Sequence, residues 1–175
     1  MGGLAFGIFC SFWTTLTFHL SGEPFRYGPD IIGLFGLLAI GGALLAPLFG
    51  KLADKGNPAR SQVFSISLVL ISIVIVMFLP ESVVAFAAAV LLLDVGVQAT
   101  QVTNVATIYT LDATAHSRIN TAYMTTYFIG GALGTFVGIR CWDAGGWHFV
   151  TWQLLLWGTA CLVLAIWGLR KKPAS

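Results

Sequence analysis

Gly50-Lys51-Leu52-Ala53-Asp54-Lys55-Gly56-Asn57-Pro58-Ala59-Arg60 is a short polar stretch with a long apolar run on either side. Three of the nine Lys and Arg residues of the chain fall in it. Charges cannot enter hydrocarbon cheaply, so the stretch must lie in water and fix which way the flanking segments point. Gly56 and Pro58 are turn residues. Lys51 and Lys55 stand where basic groups complement the negative end of a preceding helix. The pattern reads as a tight hairpin between two membrane-crossing helices.

The composition around this hairpin agrees. Charged residues make up 9% of the 175-residue chain and hydrophobic residues 57%, with a mean hydropathy of +0.87. Soluble domains carry about 25% charged residues. So much apolar surface implies that lipid is the solvent for most of the chain. A net charge of +2, with no basic stripe, argues against nucleic acid as a partner. Cys10, Cys141 and Cys161 are odd in number and lack metal-ligand spacing, so neither a disulfide framework nor a metal site is expected. The first membrane-length run begins without a basic leader, Arg26 being the first basic residue, and no A-x-A site follows. The first run is therefore read as a retained span, not a cleaved signal. There is no Ser/His/Asp set, no H-E-x-x-H, no phosphate-binding glycine loop and no acid pair within the apolar runs. Catalysis ranks last among the function classes, and no cofactor is implied.

Six apolar runs can be marked: Leu4–Leu20, Ile31–Leu52, Ser61–Leu79, Val83–Tyr109, Ile119–Ile139 and His148–Leu169. Each reaches or nearly reaches the roughly 20 residues that cross about 30 Å of hydrocarbon as a helix. Period-two alternation, the mark of membrane strands, does not occur. The expectation is an all-α membrane protein, a single six-span domain over residues 1–175. Under that threading Lys51, Lys55, Arg60, Arg118, Arg170, Lys171 and Lys172 fall on one side, and Arg26 and Arg140 on the other. Both termini are then cytoplasmic. Trp142, Trp147 and Trp167 read as interface anchors, and His19, Glu23 and Arg26 as a solvated cluster at the outer end of the first span.

The fourth run holds Asp94, the one acid deep inside an apolar segment, near the middle of the run. At about 100° per residue, Gln98 and Gln101 share its face and Asn104 lies at the edge. A central Asp costs at least about 2.5 kcal/mol in lipid, so this stripe must face other helices or a water-filled cavity. Two readings stand: a substrate-contacting wall in which Asp94 is a candidate proton acceptor, and a polar cluster that ties helices together. In the fifth run Ser117 is an expected N-cap. Beyond it Tyr123, Tyr127, Gly130, Gly134 and Gly138 lie along one face. The two tyrosines are candidate pore-lining residues, and the glycines, spaced by four, let another backbone approach closely.

The loop pattern G-x-x-x-D-K, on Gly50, Asp54 and Lys55 with Arg60 beyond, resembles the cytoplasmic loop motif of the major facilitator superfamily. The next glycine of the motif falls at Asn57 and its paired basic residues at Pro58 and Ala59, which resembles the second, more degenerate copy of the motif. The stretch Asp112–Asn120, with Ser117 and Arg118 opening a polar helix start, resembles the loop between that family's tenth and eleventh helices. The resemblance implies six helices arranged as two inverted three-helix repeats, equivalent to the C-terminal half of a twelve-span transporter. It implies transport of a small solute across the cell inner membrane, with proton-coupled efflux as one form. It also implies a second half, supplied by a missing N-terminal segment or by a second copy in a homodimer. A non-transporting remnant, or a six-helix scaffold for another membrane protein, is the alternative.

Overall fold

The computed structural model describes residues 1–53, 58–110 and 115–170, and over 42–53 the backbone alone. Among the described residues the regular structure is helical, in five elements: α1 (Gly2–Ser21), α2 (Pro29–Ala53), α3 (Pro58–Phe78), α4 (Val83–Tyr109) and α5 (His116–Arg170). Their ends follow from local chemistry. Gly22 and Pro24 stop α1, and Pro29 and Pro58 stand first in α2 and α3, where the missing N–H has no helical partner to lose. Pro80 follows the end of α3. The Ser82 hydroxyl caps α4 by accepting from the Ala85 N–H at 3.3 Å.

Six separate spans were expected, and the structure has five helical elements because the last two runs form one. Helical geometry is lost only at Gly145 (φ −167°, ψ 25°) and Gly146 (φ 62°, ψ −151°). Gly146 takes a left-handed conformation that costs a residue without Cβ nothing. The expected loop over Arg140–Trp147 is thereby corrected. Residues 140–144 contain no breaker and stay helical, and two glycines suffice to reverse the chain.

That the chain does reverse there is seen from what lies against α1. Gly3, Gly7 and Ser11 meet Gly130, Gly134 and Gly138 in turn, so α1 and the first limb of α5 run in the same direction. Gly7 also touches Trp157, the Ser11 hydroxyl donates to Gln153 Oε1 at 2.8 Å, and Phe12 lies edge-on to Trp147. Those numbers fall as those of α1 rise, so the second limb runs antiparallel. On the other side α4 packs antiparallel on α3. Gly96 lets the two backbones close, since a Cβ there would lie 2.6 Å from Ser65 O, and the Ser65 and Thr100 hydroxyls bond at 2.8 Å.

The core between these helices is Ile8, Phe12, Leu16, Ile66, Val69, Ile73, Phe86, Leu93 and Leu154, all buried. The outer surface is just as apolar. Leu34, Leu37, Ile40, Phe78, Phe128, Phe136, Leu156 and Trp167 are exposed, a coat suited to lipid and not to water. Four described helices, α1, α3, α4 and α5, are long and apolar enough to cross a membrane.

Three further expectations are corrected at the helix ends. His19 is buried, not solvated: its Nε2 bonds to Pro80 O at 2.8 Å, and its ring stacks on Trp147 at 4.6 Å. Trp147 is likewise a core residue and not an interface anchor, with its indole N–H donated to Val76 O at 3.2 Å. Packing of one ring on the other satisfies both polar ends against backbone carbonyls, so neither needs water. Ser117 is not an N-cap, because α5 begins a residue earlier at His116, leaving Ser117 exposed in its first turn. Glu23 and Arg26 are exposed and paired with each other, as a solvated cluster would be.

Candidate functional site

Helix α4 is packed against α1, α2, α3 and α5, so its polar side chains reach three different neighbours. Asp94 points to α1, Gln101 to the first limb of α5, and Asn104 to α3. Asp94 is 3% exposed, and its Oδ1 accepts the indole N–H of Trp13 at 3.2 Å. Its Oδ2 is buried without a hydrogen-bond partner. Among the described residues the one ion pair is Arg26–Glu23, so no cationic side chain balances Asp94. An ionised carboxylate held this way costs several kcal/mol unless a proton or a cation neutralises it.

Further along α4, Gln101 Oε1 accepts from the Tyr127 hydroxyl at 3.1 Å. Asn104 Oδ1 accepts from Gln62 Nε2 at 2.7 Å, leaving the buried Asn104 Nδ2 with no bond of good geometry. The Tyr123 hydroxyl is buried and has no hydrogen-bond partner. Asn104 and Tyr123 line, with Thr107, Thr126 and the first residues of α1, a cleft of about 470 Å³. Gln98 is half-buried and bonds to none of the others. The structure thus joins Gln101 to Tyr127 and sets Asn104 beside Tyr123, while Asp94 is joined to a residue outside the expected set.

That residue belongs to an aromatic ladder. Phe6 stacks on Phe9 at 5.8 Å, Phe9 lies 6.2 Å from Trp13, and Phe6 stacks on Tyr127 at 4.2 Å. All of Phe6, Phe9 and Trp13 are half-buried, so one side of the ladder stays open. Its two ends are the two hydrogen bonds to α4, Trp13 to Asp94 and Tyr127 to Gln101. The sequence carries a signal for it, Phe6-x-x-Phe9-x-x-x-Trp13, at the spacing of one helix face.

The loop residues of the expected set are placed less fully. Gly50 lies within α2, Asp54 and Lys55 fall outside the described residues, and Arg60 is exposed in the first turn of α3. Arg118 is exposed beside Ser117. Among the described residues no three His, Cys, Asp or Glu side chains come together where they could hold a metal.

No family model matches the chain, and no solved structure does. The chain is 39% identical, over its whole length, to YgaY of Escherichia coli, named as an uncharacterized transporter in strains K12 and O157:H7. It is 29% identical over 93% of its length to SCO4007 of Streptomyces coelicolor, named as a probable transporter. These matches cover 44% of YgaY and 35% of SCO4007, so the chain spans less than half the length of the curated relatives it matches. It is a helical membrane chain similar throughout to part of proteins named as transporters.

Proposed function

We propose that this chain is the six-span half of a multi-pass secondary transporter of the major facilitator type, in the cell inner membrane with both termini cytoplasmic. On that reading the break at Gly145–Gly146 divides α5 into two spans, and the six helices would be arranged as two inverted repeats of three, as the resemblance implies. In this reading Asp94, Gln98, Gln101, Asn104, Tyr123 and Tyr127 belong to the wall of the solute pathway, and Asp94 is the group that takes up a proton. The observation that carries it is the neutralisation problem at Asp94. An acid held at the middle of an apolar helix, with one oxygen unbonded and no basic partner among the described residues, costs stability that a purely structural cluster has no reason to spend. The names of the relatives point the same way.

The second half is supplied by another segment or by a second copy, and pairing covers the half-exposed Gln98 and Gln101. The test is counterflow in proteoliposomes, with a panel of anionic, neutral and cationic solutes and an imposed pH gradient. At least one solute class should be accumulated by the wild-type chain with its other half, and Asp94→Asn should lose uphill accumulation. No accumulation of any class above protein-free liposomes would overturn the reading and favour a scaffold. Full-rate uphill accumulation by Asp94→Asn would remove Asp94 from the coupling role.

A further inference from the structure

We propose that the Arg170 end of α5 is a seat for an anionic phospholipid, whose acyl chain lies in the groove beside Trp167 and whose headgroup phosphate meets the Arg170 guanidinium. The proposal goes beyond the transport reading and takes from it only that α5 spans the membrane.

Length places the groove. The second limb of α5 runs from Trp147 to Arg170, about 35 Å of helix, against about 30 Å of hydrocarbon. Arg170 therefore stands where lipid phosphates lie, and Trp167, about one turn back, where the acyl chains begin. Val163, Leu164, Ile166, Trp167 and Arg170 line an open groove of about 510 Å³. Its walls are apolar and exposed, Val163 by 60% and Trp167 by 57%. Positions 163, 166, 167 and 170 share one helix face. Apolar stripe, indole and guanidinium thus follow one another in the order of a phospholipid's chain, boundary and headgroup.

Charge selects the headgroup. Arg170 has no carboxylate partner among the described residues, where the one ion pair is Arg26–Glu23. Lys171 and Lys172 follow it in the sequence, and the nearest acid before it on α5 is Asp143. Arg140, at the far end of the first limb, makes the contrast. Its guanidinium lies over the Phe136 ring at 5.3 Å, and Asp143 is three residues on. A zwitterionic headgroup brings its own cation to the phosphate, whereas an anionic one presents net negative charge to three adjacent basic residues. A guanidinium also suits phosphate in particular, since it can donate two parallel bonds to its oxygens. A soluble phosphate compound would answer the charge and leave the apolar wall bare.

The test reconstitutes the full chain in phosphatidylcholine vesicles. A rising fraction of the lipid is replaced by phosphatidylglycerol, or by phosphatidylcholine, with chains brominated near the headgroup. Bromine quenches nearby indoles, and the difference between wild type and Trp167→Phe isolates the Trp167 signal from that of the other tryptophans. Brominated phosphatidylglycerol should half-quench Trp167 at an at least about fivefold lower fraction than brominated phosphatidylcholine, because each basic residue near an anionic headgroup is worth about a fivefold preference. Arg170→Gln should remove much of that preference, and the triple variant with Lys171→Gln and Lys172→Gln all of it. Val163→Phe, which fills the groove and leaves every charge in place, should also lower it. Excess soluble glycerophosphate should leave the quenching unchanged. Equal half-quenching by the two lipids would overturn the seat, and so would a preference that survives the triple variant. A preference that Val163→Phe leaves intact would overturn the groove and reduce the effect to attraction between a basic tail and an anionic surface. Relief of quenching by glycerophosphate would make the site one for a free phosphate compound, and the lipid assignment would fall.

Discussion

The seam between α1 and the first limb of α5 makes a sharp quantitative test of the fold. A methyl group at Gly134 would overlap the backbone of Gly7, and one at Gly130 the backbone of Gly3. The reciprocal substitutions are as tight, since a Cβ on Gly7 would lie 2.7 Å from Gly130 O and one on Gly3 2.6 Å from Thr126 O. Ordinary contact is about 3.5 Å, so the helices would have to part by about 1 Å, enough to forfeit a quarter to a half of each dispersion contact along the seam. Neither partner is a side chain that could rotate away. Overpacking of this kind costs about 1–3 kcal/mol, and Gly→Ala in a helix returns up to about 1 kcal/mol. Relative to a Gly→Ala change at an uncrowded helical position, which has the same return, Gly134→Ala should therefore be destabilised by about 1–3 kcal/mol, and the double variant with Gly130→Ala by less than the sum, because the first methyl has already opened the seam. Gly33 and Gly36 of α2 have nothing within 4 Å of an added Cβ, so Gly36→Ala should be neutral or stabilising. A thiol-reactive fluorogenic dye reads unfolding through the buried Cys161. Gly134→Ala melting at or above Gly36→Ala would refute the seam.

Ser11→Ala should cost about 1–3 kcal/mol in the same assay, because the buried Gln153 amide loses its bond to Ser11 while its Nε2 already lacks one; Ser11→Ala with Gln153→Leu should recover much of the loss. Trp147→Phe keeps a ring on His19 but drops the bond to Val76 O, and its melting should report a cost of about 1 kcal/mol or somewhat more. Reporter fusions at Arg60, His116 and Ser175 should read cytoplasmic and those at Gly28, Ser82 and Gly145 external, and an external signal at Ser175 would overturn the six-span threading. Self-pairing about an axis along the membrane normal predicts a cross-link between copies from cysteines at Asp54 and Ser117, in a background without Cys10, Cys141 and Cys161. Monomer alone in detergent and in bilayers, with no cross-link at any spacing, would sink self-pairing and favour a non-transporting remnant.

The helical elements were legible because hydrocarbon demands long apolar runs, and hardly anything else in a sequence competes with that signal. The run Val83–Tyr109 coincides with α4 at both ends, where Ser82 caps one end and polar residues close the other. The break in α5 was less legible. Asp143 and Arg140 look like loop residues, yet only Gly146 has a conformation that other residues resist, and charges near a helix end can remain helical. His19 was misread for a related reason. Its polarity predicts solvent, but a carbonyl left free after Pro80 and a facing Trp147 make a buried position satisfactory. The stripe on α4 was legible as polar and inward-facing. Its partners were not, because Trp13 lies 81 residues away from Asp94 and Gln62 lies 42 from Asn104, separations that periodicity within one helix cannot bridge.

The distribution of polar groups around α4 bears on what completes the molecule. Towards α3 most of the helix is answered: Gly96 admits the Ser65 backbone, Thr100 meets Ser65, and Gln62 meets Asn104 Oδ1, with Asn104 Nδ2 alone left over. On its other flank the answers thin out. Gln98 is half-buried without a bond, and Gln101 stands at the rim of an open groove of about 500 Å³ with Val102, Ala106 and Tyr109. Lipid offers no donor or acceptor at that depth, so an amide facing it has no way to be satisfied. The exposed leucines and phenylalanines of α2 and α5 suit lipid, whereas this flank of α4 does not. It is the side that needs protein or water against it. More than half of each relative's length lies beyond the matched region, enough chain to cover such a flank. A second copy related by a two-fold axis would present the same patch to it, and glutamines close to the axis can donate to and accept from one another. In either proposed arrangement Asp94 would share a face of α4 with Gln98 beside that flank, which joins the question of the partner to that of the solute path.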